Sequence, residues 1–248
     1  KRFVSFMIQY AKRVVIRNIR YGETFVIASI FTDVFGIQSY IVKGVRTQSK
    51  TSKAHFFQPS SILEMQVYHS DLKNLQRIKE LKWAHLYRNI LSDVAKNTIA
   101  LYMVELLHKC LKQPEANSDL FHFCEDAFLE LDICTNEIAA NFPLYFAIQL
   151  AYFFGFRLRD NYSSENNVFN PMEGNFINKN LLHGDHVNVD ISEHISELLK
   201  AGHPTDLKEI KLNKNIRKII LSIMEKYYGI HIADFGIMKT LPVLHELL

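Results

Sequence analysis

Val14-Val15-Ile16-Arg17-Asn18-Ile19-Arg20, closed by Tyr21-Gly22-Glu23, is the stretch on which the fold turns. Its β-branched residues suit a half-buried strand, and the glycine-containing tripeptide behind it signals a turn. Runs of the same kind follow: residues 24–32, a turn at Asp33-Val34-Phe35-Gly36, residues 37–46, then residues 61–69 and 74–82. Asp71-Leu72-Lys73-Asn74 reads as the hairpin turn between the last two. Residues 47–55 are polar and basic and read as a loop. Five short strands within about 70 residues, with no helix between most of them, are satisfied most simply by an antiparallel sheet closed into a small barrel, since closure removes unpaired edges.

The periodicity changes after residue 83. Val94, Ile99, Leu101, Val104, Leu107 and Leu111 recur near helical spacing, behind an expected N-cap at Ser92 and ahead of Pro114. Asn117 or Ser118 caps a second helix with Leu120, Phe121, Cys124, Phe128 and Leu131 on one stripe. Residues 142–154 form a third helix, apolar nearly all round, which Gly155 stops. Residues 138–156 approach the ~20 apolar residues of a membrane span. Asn141, Pro143 and Gln149 interrupt them and no basic cluster flanks them, so a buried core helix is expected. Residues 156–190 are rich in Asn and Ser and read as an irregular insert, with a turn and short strand at residues 170–176. Ser192 and Asn213 are expected to cap two more helices, ended by Gly202 and Gly229, and a short helix closes the chain. The expected architecture is α+β: an OB-type five-stranded barrel over residues 1–82, then an all-helical domain over residues 83–248.

Composition excludes several classes. The 248 residues include 18 Phe and 11 Tyr, so there is ample apolar surface to bury, and 9 Gly with 6 Pro exclude a collagen-like chain. Cys110, Cys124 and Cys134 form no Cys-x-x-Cys pair and read as buried small hydrophobes of a reducing cytoplasm. Residues 1–8 are too short and mixed for a secretory signal, and residues 1–6 are expected to lie ahead of the native start. The net charge of +3 hides an asymmetry: residues 1–82 carry +9 and residues 83–248 carry −6. No Asp or Glu occurs between Asp33 and Glu64, a window holding Lys43, Arg46, Lys50 and Lys53. A polyanion is the natural partner for such a field. No phosphate-binding Gly-x-x-x-x-Gly-Lys, no Gly-x-Ser-x-Gly and no His-Glu-x-x-His is present, so an enzyme is the weaker reading.

A barrel, a basic loop, a helical domain and an irregular insert, in this order, resemble the RecO family of bacterial recombination mediators. The opening carries the likeness: Val14-Val15-Ile16-Arg17, Arg20-Tyr21-Gly22-Glu23-Thr24, Phe31-Thr32-Asp33, Gly36, Tyr40 and Val42-Lys43-Gly44-Val45-Arg46. Gln58-Pro59, Ile62-Leu63-Glu64 and Leu75-Gln76-Arg77-Ile78-Lys79-Glu80 continue it. Ala100-Leu101-Tyr102, Glu105-Leu106-Leu107, Leu150, Gly155-Phe156 and Lys239-Thr240-Leu241-Pro242-Val243-Leu244 extend it through the second half. The resemblance implies a cytoplasmic, nucleoid-associated, non-enzymatic protein without cofactor. It binds single- and double-stranded DNA, anneals complementary strands and works with RecR, in some lineages RecF, to load RecA onto gaps coated by single-strand binding protein (SSB), whose acidic tail it contacts. An OB-fold adaptor for proteins, or an RNA-binding protein, are the alternatives. Many family members hold zinc with four cysteines in the insert. Here residues 156–190 contain no Cys, so that site is not expected; His183, His186, His194 and His203 read as surface histidines.

Phosphates call for Lys and Arg, and bases for exposed aromatics. The candidates for DNA are Arg17, Arg20, Lys43, Arg46, Lys50, Lys53, Arg77 and Lys79, with Tyr21, Tyr40 and Phe56 for stacking. An acidic tail ending in apolar residues calls for a hydrophobic pocket rimmed by cations, for which Arg157, Arg159, Arg217 and Lys218 are the candidates.

Overall fold

The computed structural model describes residues 7–22, 25–43, 54–70, 72–181 and 188–248. Arg46, Lys50, Lys53, His183 and His186 lie outside the described residues. The chain divides into two compact units, neither of them a single run: Lys1–Arg88 with Leu111–Leu129, and Asn89–Cys110 with Glu130–Leu248. The divide drawn in the sequence at residue 82 falls at the end of the last barrel strand, and the helical stretch after residue 110 contributes to the first unit.

The first unit is a closed five-stranded barrel of the expected OB type. Strands β1 (Met7–Tyr21), β2 (Phe25–Thr32), β3 (Gly36–Lys43), β4 (Ile62–His69) and β5 (Leu75–Trp83) close in the order β1-β2-β3-β5-β4. β1 is 15 residues long, far beyond the seven expected, because it serves two neighbours. Its first half pairs with β4 and its second half with β2, and the register slips between Val15 and Arg17. Such a bulge bends a strand and strengthens its twist, which lets one strand turn a barrel corner.

Alternation sorts the side chains. Val15, Val26, Ala28, Ile30, Tyr40, Val42, Leu63, Met65 and Val67 fill the interior, joined by Phe57 from a single 3-10 turn, Ala54–Phe57. Tyr40, a stacking candidate in the sequence, is therefore core: it pairs with Ala28, whose side chain points the same way, inward. Burial pushes its phenol upward from the ordinary tyrosine range. Arg13 is wholly buried too, its Nη1 donating to the carbonyls of Ala11 (2.7 Å) and Met65 (2.6 Å). Gly36 starts β3 at φ 62°, and a side chain there would collide with the Glu115 backbone. Outside the barrel, Phe31 meets Phe121 at 5.7 Å and Lys12 pairs with the buried Glu125 at 2.9 Å.

The helices are α1 (Val94–Cys110), α2 (Ser118–Ile133), α3 (Asn136–Phe153), α4 (Val189–Lys200), α5 (Lys214–His231) and α6 (Leu241–Leu247). Several ends differ from expectation. Asp93, not Ser92, caps α1 by accepting from the Lys96 amide, and Asn117 caps α2 through the Leu120 amide. α3 starts six residues ahead of the expected Phe142 and runs through Pro143, with Ile138 and Ala139 already buried. Asn188 caps α4; Ser192 lies inside that helix, where its hydroxyl donates to the Asn188 carbonyl and accepts from the Phe169 amide. Asn213 caps α5 as expected, but the helix continues through Gly229 to His231. Among the described residues, no helix is long and apolar enough to cross a membrane.

The insert is a small hairpin, β6 (Val168–Asn170) with β7 (Asn175–Ile177), beside an aromatic cluster. Phe169 and Phe176 meet edge to face at 5.5 Å, and Phe156 packs against Tyr227, Tyr228 and His231. Asn161 clamps β7 twice: its amide donates to the Phe176 carbonyl and its oxygen accepts the Phe176 N–H. Tyr227 donates to the Phe156 carbonyl at 2.5 Å, and burial pushes its phenol up to about 12.

Candidate nucleic-acid interface

Register builds the outer face of the barrel in three ranks. Arg17 pairs with Ser29 and Ser29 with Ser39; Ile19 pairs with Ile27 and Ile27 with Ile41; Tyr21 pairs with Phe25 and Phe25 with Lys43. β5 continues two of them, Leu75 beside Ser39 and Arg77 beside Ile41. Three exposed cations, Arg17, Lys43 and Arg77, thus border a half-exposed strip of isoleucines that ends in Tyr21 and Phe25. Tyr21 stands 56% exposed. The parallel pairing of β3 with β5 spans only Ser39 to Ile41. Beyond it a groove of about 440 Å³ opens, lined by Phe25, Ile41, Lys43, Arg77, Ile78 and Leu81.

The sequence candidates therefore part company. Arg17, Tyr21, Lys43 and Arg77 share this face. Arg20 is exposed but pairs with the inward-facing Val26, so its register is opposite to that of its neighbours Arg17 and Tyr21. Phe56 and Lys79 line a different groove, of about 370 Å³, with Tyr10, Leu81 and Lys82. Phe25 was absent from the sequence candidates. Apolarity alone sends it inward; counting alternation back from the buried Val26 and Ala28 sends it out.

Two other cations on the barrel are partly neutralised. Lys82 is 2.7 Å from Glu64, and the hydrogen bond between them holds the ammonium above its usual range. Lys12 is held up in the same way by Glu125. Arg13, counted in the basic first third, is buried and adds no surface contact.

In the second unit the four candidates separate as well. Arg157 and Arg159 line a groove of about 730 Å³ with Ile148, Tyr152, Leu158 and Leu199. The Arg157 guanidinium lies 5.5 Å over the Tyr152 ring. Asp160, at the same groove, accepts from the Ser196 hydroxyl at 2.8 Å and lies 3.9 Å from Lys200, which offsets its charge. Arg217 is half-buried and donates to the carbonyls of Leu212 and Leu248; burial lowers its pKa. Lys218 lies near His245, away from this groove.

The insert does not suit a zinc ion of the four-cysteine kind. Its interior is occupied by Phe169, Phe176 and Tyr227, and among the described residues no group of three His, Cys, Asp or Glu side chains converges. His194 faces Glu197 at 2.9 Å, and His203 caps the 3-10 turn Pro204–Lys208. Cys134 is pushed up to about 11 by burial, which suppresses its thiolate.

An OB-type barrel followed, among the described residues, by six helices and a hairpin insert is compatible with a DNA repair and recombination protein. The chain belongs to the RecO family: the model described as recombination protein O N terminal matches residues 7–87, and that of recombination protein O C terminal matches residues 91–240. It is similar to the DNA repair protein RecO of Flavobacterium psychrophilum, 33% identical over 241 residues that cover 95% of this chain and 97% of the relative. It is also similar to that of Christiangramia forsetii, 31% identical, and that of Azobacteroides pseudotrichonymphae, 28% identical, each covering 97% of this chain and 99% of the relative.

Proposed function

We propose that this chain is a non-enzymatic mediator that binds single- and double-stranded DNA through the outer face of its barrel and anneals complementary strands. With RecR, and RecF where present, it helps load RecA onto SSB-coated gaps. The observation that carries the DNA-binding half is the register that puts Arg17, Lys43 and Arg77 around the strip ending in Tyr21 and Phe25. Cations neutralise phosphates with release of counterions, and the rings offer stacking to any base. The centre of the face holds isoleucines, two serines and aromatic rings, and Arg17 and Arg77, which could read base edges, stand only at its borders; this supports binding with weak sequence preference.

The Arg157–Arg159 groove supports a place for the acidic, apolar-ended SSB tail. Arginine suits carboxylates, and Ile148, Leu158 and Leu199 suit an apolar end.

Fluorescence anisotropy with single-stranded DNA and matched RNA across a salt series tests the first claim. Expected are binding that weakens steeply with salt and strand annealing faster than the spontaneous rate. A chain that ignores oligonucleotides even in dilute buffer returns the adaptor reading, and turnover of the DNA in the same tubes returns the enzyme. Co-purification with intact SSB, but not with SSB lacking its tail, is the result expected of the groove.

A further inference from the structure

We propose that a nucleic-acid strand held in the β3–β5 groove continues across β5 and stacks in a second groove on the far side of that strand. This rests on the nucleic-acid reading above and extends it to a surface of β1, β4 and β5 that the ranks around Tyr21 do not include.

The two grooves share a wall: Leu81 lines both. Between them β5 carries Arg77, Lys79 and Lys82, a span of five residues and roughly 16 Å along a strand. Lys79 is directed by a local irregularity. Ile78 pairs with Val67 and Glu80 with Gln66, so Lys79 is the extra residue of a β-bulge. Bulges re-aim side chains, and this one places an exposed ammonium at the edge of the second groove.

Two rings, those of Tyr10 and Phe56, line that groove beside Glu64, Gln66 and Glu80. Tyr10 is 63% exposed on β1, in the rank Tyr10–Gln66–Glu80. Phe56 contributes from the 3-10 turn, with its ring 4.4 Å from that of His55 and 4.8 Å from that of Trp83. His55 is exposed. This turn lies in the stretch between Asp33 and Glu64 that lacks any carboxylate. Exposed rings flanked by a cation are what an unpaired base stacks on.

Charge separates the roles of the two grooves. Glu64 is paired with Lys82, and Lys79 is offset by the adjacent exposed Glu80. The second groove is close to neutral and therefore grips by stacking. The first, with Lys43 and Arg77, grips phosphates. Lengthening a bound strand from one groove into both should raise affinity while adding little salt dependence.

Trp83 is the only tryptophan of the chain and reports on the second groove through Phe56. The test titrates the full chain with oligo(dT) of about 5 and about 15 nucleotides, lengths near the two ends of what one OB barrel covers. Anisotropy follows binding, and Trp83 emission follows the second groove. Both oligonucleotides should bind, and only the longer should quench Trp83. The double variant Tyr10→Ala/His55→Ala changes two exposed side chains and leaves the core intact. It should bind the longer strand about 10-fold more weakly, the shorter one within twofold of wild type, and both with unchanged salt slopes. Binding of the longer strand with silent Trp83 emission, or with wild-type affinity in the double variant, overturns the track alone. Failure of the wild-type chain to bind either oligonucleotide overturns the track together with the reading beneath it.

Discussion

Replacing Arg17, Lys43 and Arg77 together by Gln removes three positive charges from the barrel face and leaves its interior untouched, since all three side chains are exposed. For single strands, each phosphate contact contributes about 0.7 to the slope of log affinity against log salt. Three contacts contribute about 2.1. Between roughly 50 and 200 mM salt, a fourfold change, they account for a drop of about 1.3 log units, or roughly 20-fold. The wild-type chain should lose at least that much affinity for oligo(dT) over the window. The triple variant should start weaker at low salt and show a slope shallower by about 2. Anisotropy at five or six salt concentrations reads both quantities, and circular dichroism confirms that the barrel is intact. A parallel slope in wild type and variant would refute the assignment of these residues to phosphates, whatever the absolute affinity. A companion variant with Arg46, Lys50 and Lys53 changed to Gln should also weaken binding and flatten the slope.

Gly36 and Gly22 both have a φ near +62°, but only Gly36 faces a neighbouring backbone, that of Glu115. Gly22→Ala should cost about 1 kcal/mol from backbone conformation alone, and Gly36→Ala distinctly more, so thermal unfolding should separate them by several degrees. Tyr227 must keep its proton to donate to Phe156, and its folded pKa, about 12, lies above the ordinary value of 10. A raised pKa gives stability that is complete below the unfolded value and lost as pH climbs through the folded one. The wild-type chain should lose stability between about pH 10 and pH 12, and Tyr227→Phe should be weaker near neutrality but lose less over that interval; identical alkaline profiles in denaturant melts would count against a phenol raised by burial.

The barrel was legible because its strands alternate and are punctuated by turn residues, and because closure is the economical way to hide five short edges. The length of β1 was not. Residues 7–13 carry Tyr10, Lys12 and Arg13 among apolar neighbours, and only pairing with β4 makes a strand of them. The candidate face was half legible. The candidates Arg17, Lys43 and Arg77 share one barrel face, whereas the net charge of the first third also counts the buried Arg13 and the paired Lys12. Tyr40 and Phe25 exchanged places for one reason: inward and outward positions follow strand parity, and parity is fixed by register across strands rather than by the apolarity of one residue. Helix ends were misread where two capping residues stood close together. Asp93 beside Ser92, and Asn188 four residues before Ser192, satisfy the first-turn amides from the geometrically correct position.

Under the proposed reading, annealing follows from what the barrel face omits. Two complementary strands can pair only if the base edges of the one already bound stay unengaged. A protein that recognises sequence occupies those edges with bidentate hydrogen bonds, each worth about 1–3 kcal/mol, and a second strand would have to displace them. The ranks around Tyr21 and Phe25 offer ring faces, isoleucines and two serines, while the cations stand at their borders. Stacking uses the flat side of a base and phosphate pairing uses its backbone, so both leave the pairing edge exposed. The incoming strand gains Watson–Crick pairs without breaking a protein contact of comparable strength. Its phosphates also meet a surface whose cations lower the repulsion between the two backbones. Substituting Asn or Gln for Ile27 or Ile41 would supply edge-reading groups at the centre of this strip. Such variants should hold single strands at least as tightly and anneal them more slowly, a separation of binding from annealing that a purely electrostatic surface would not produce.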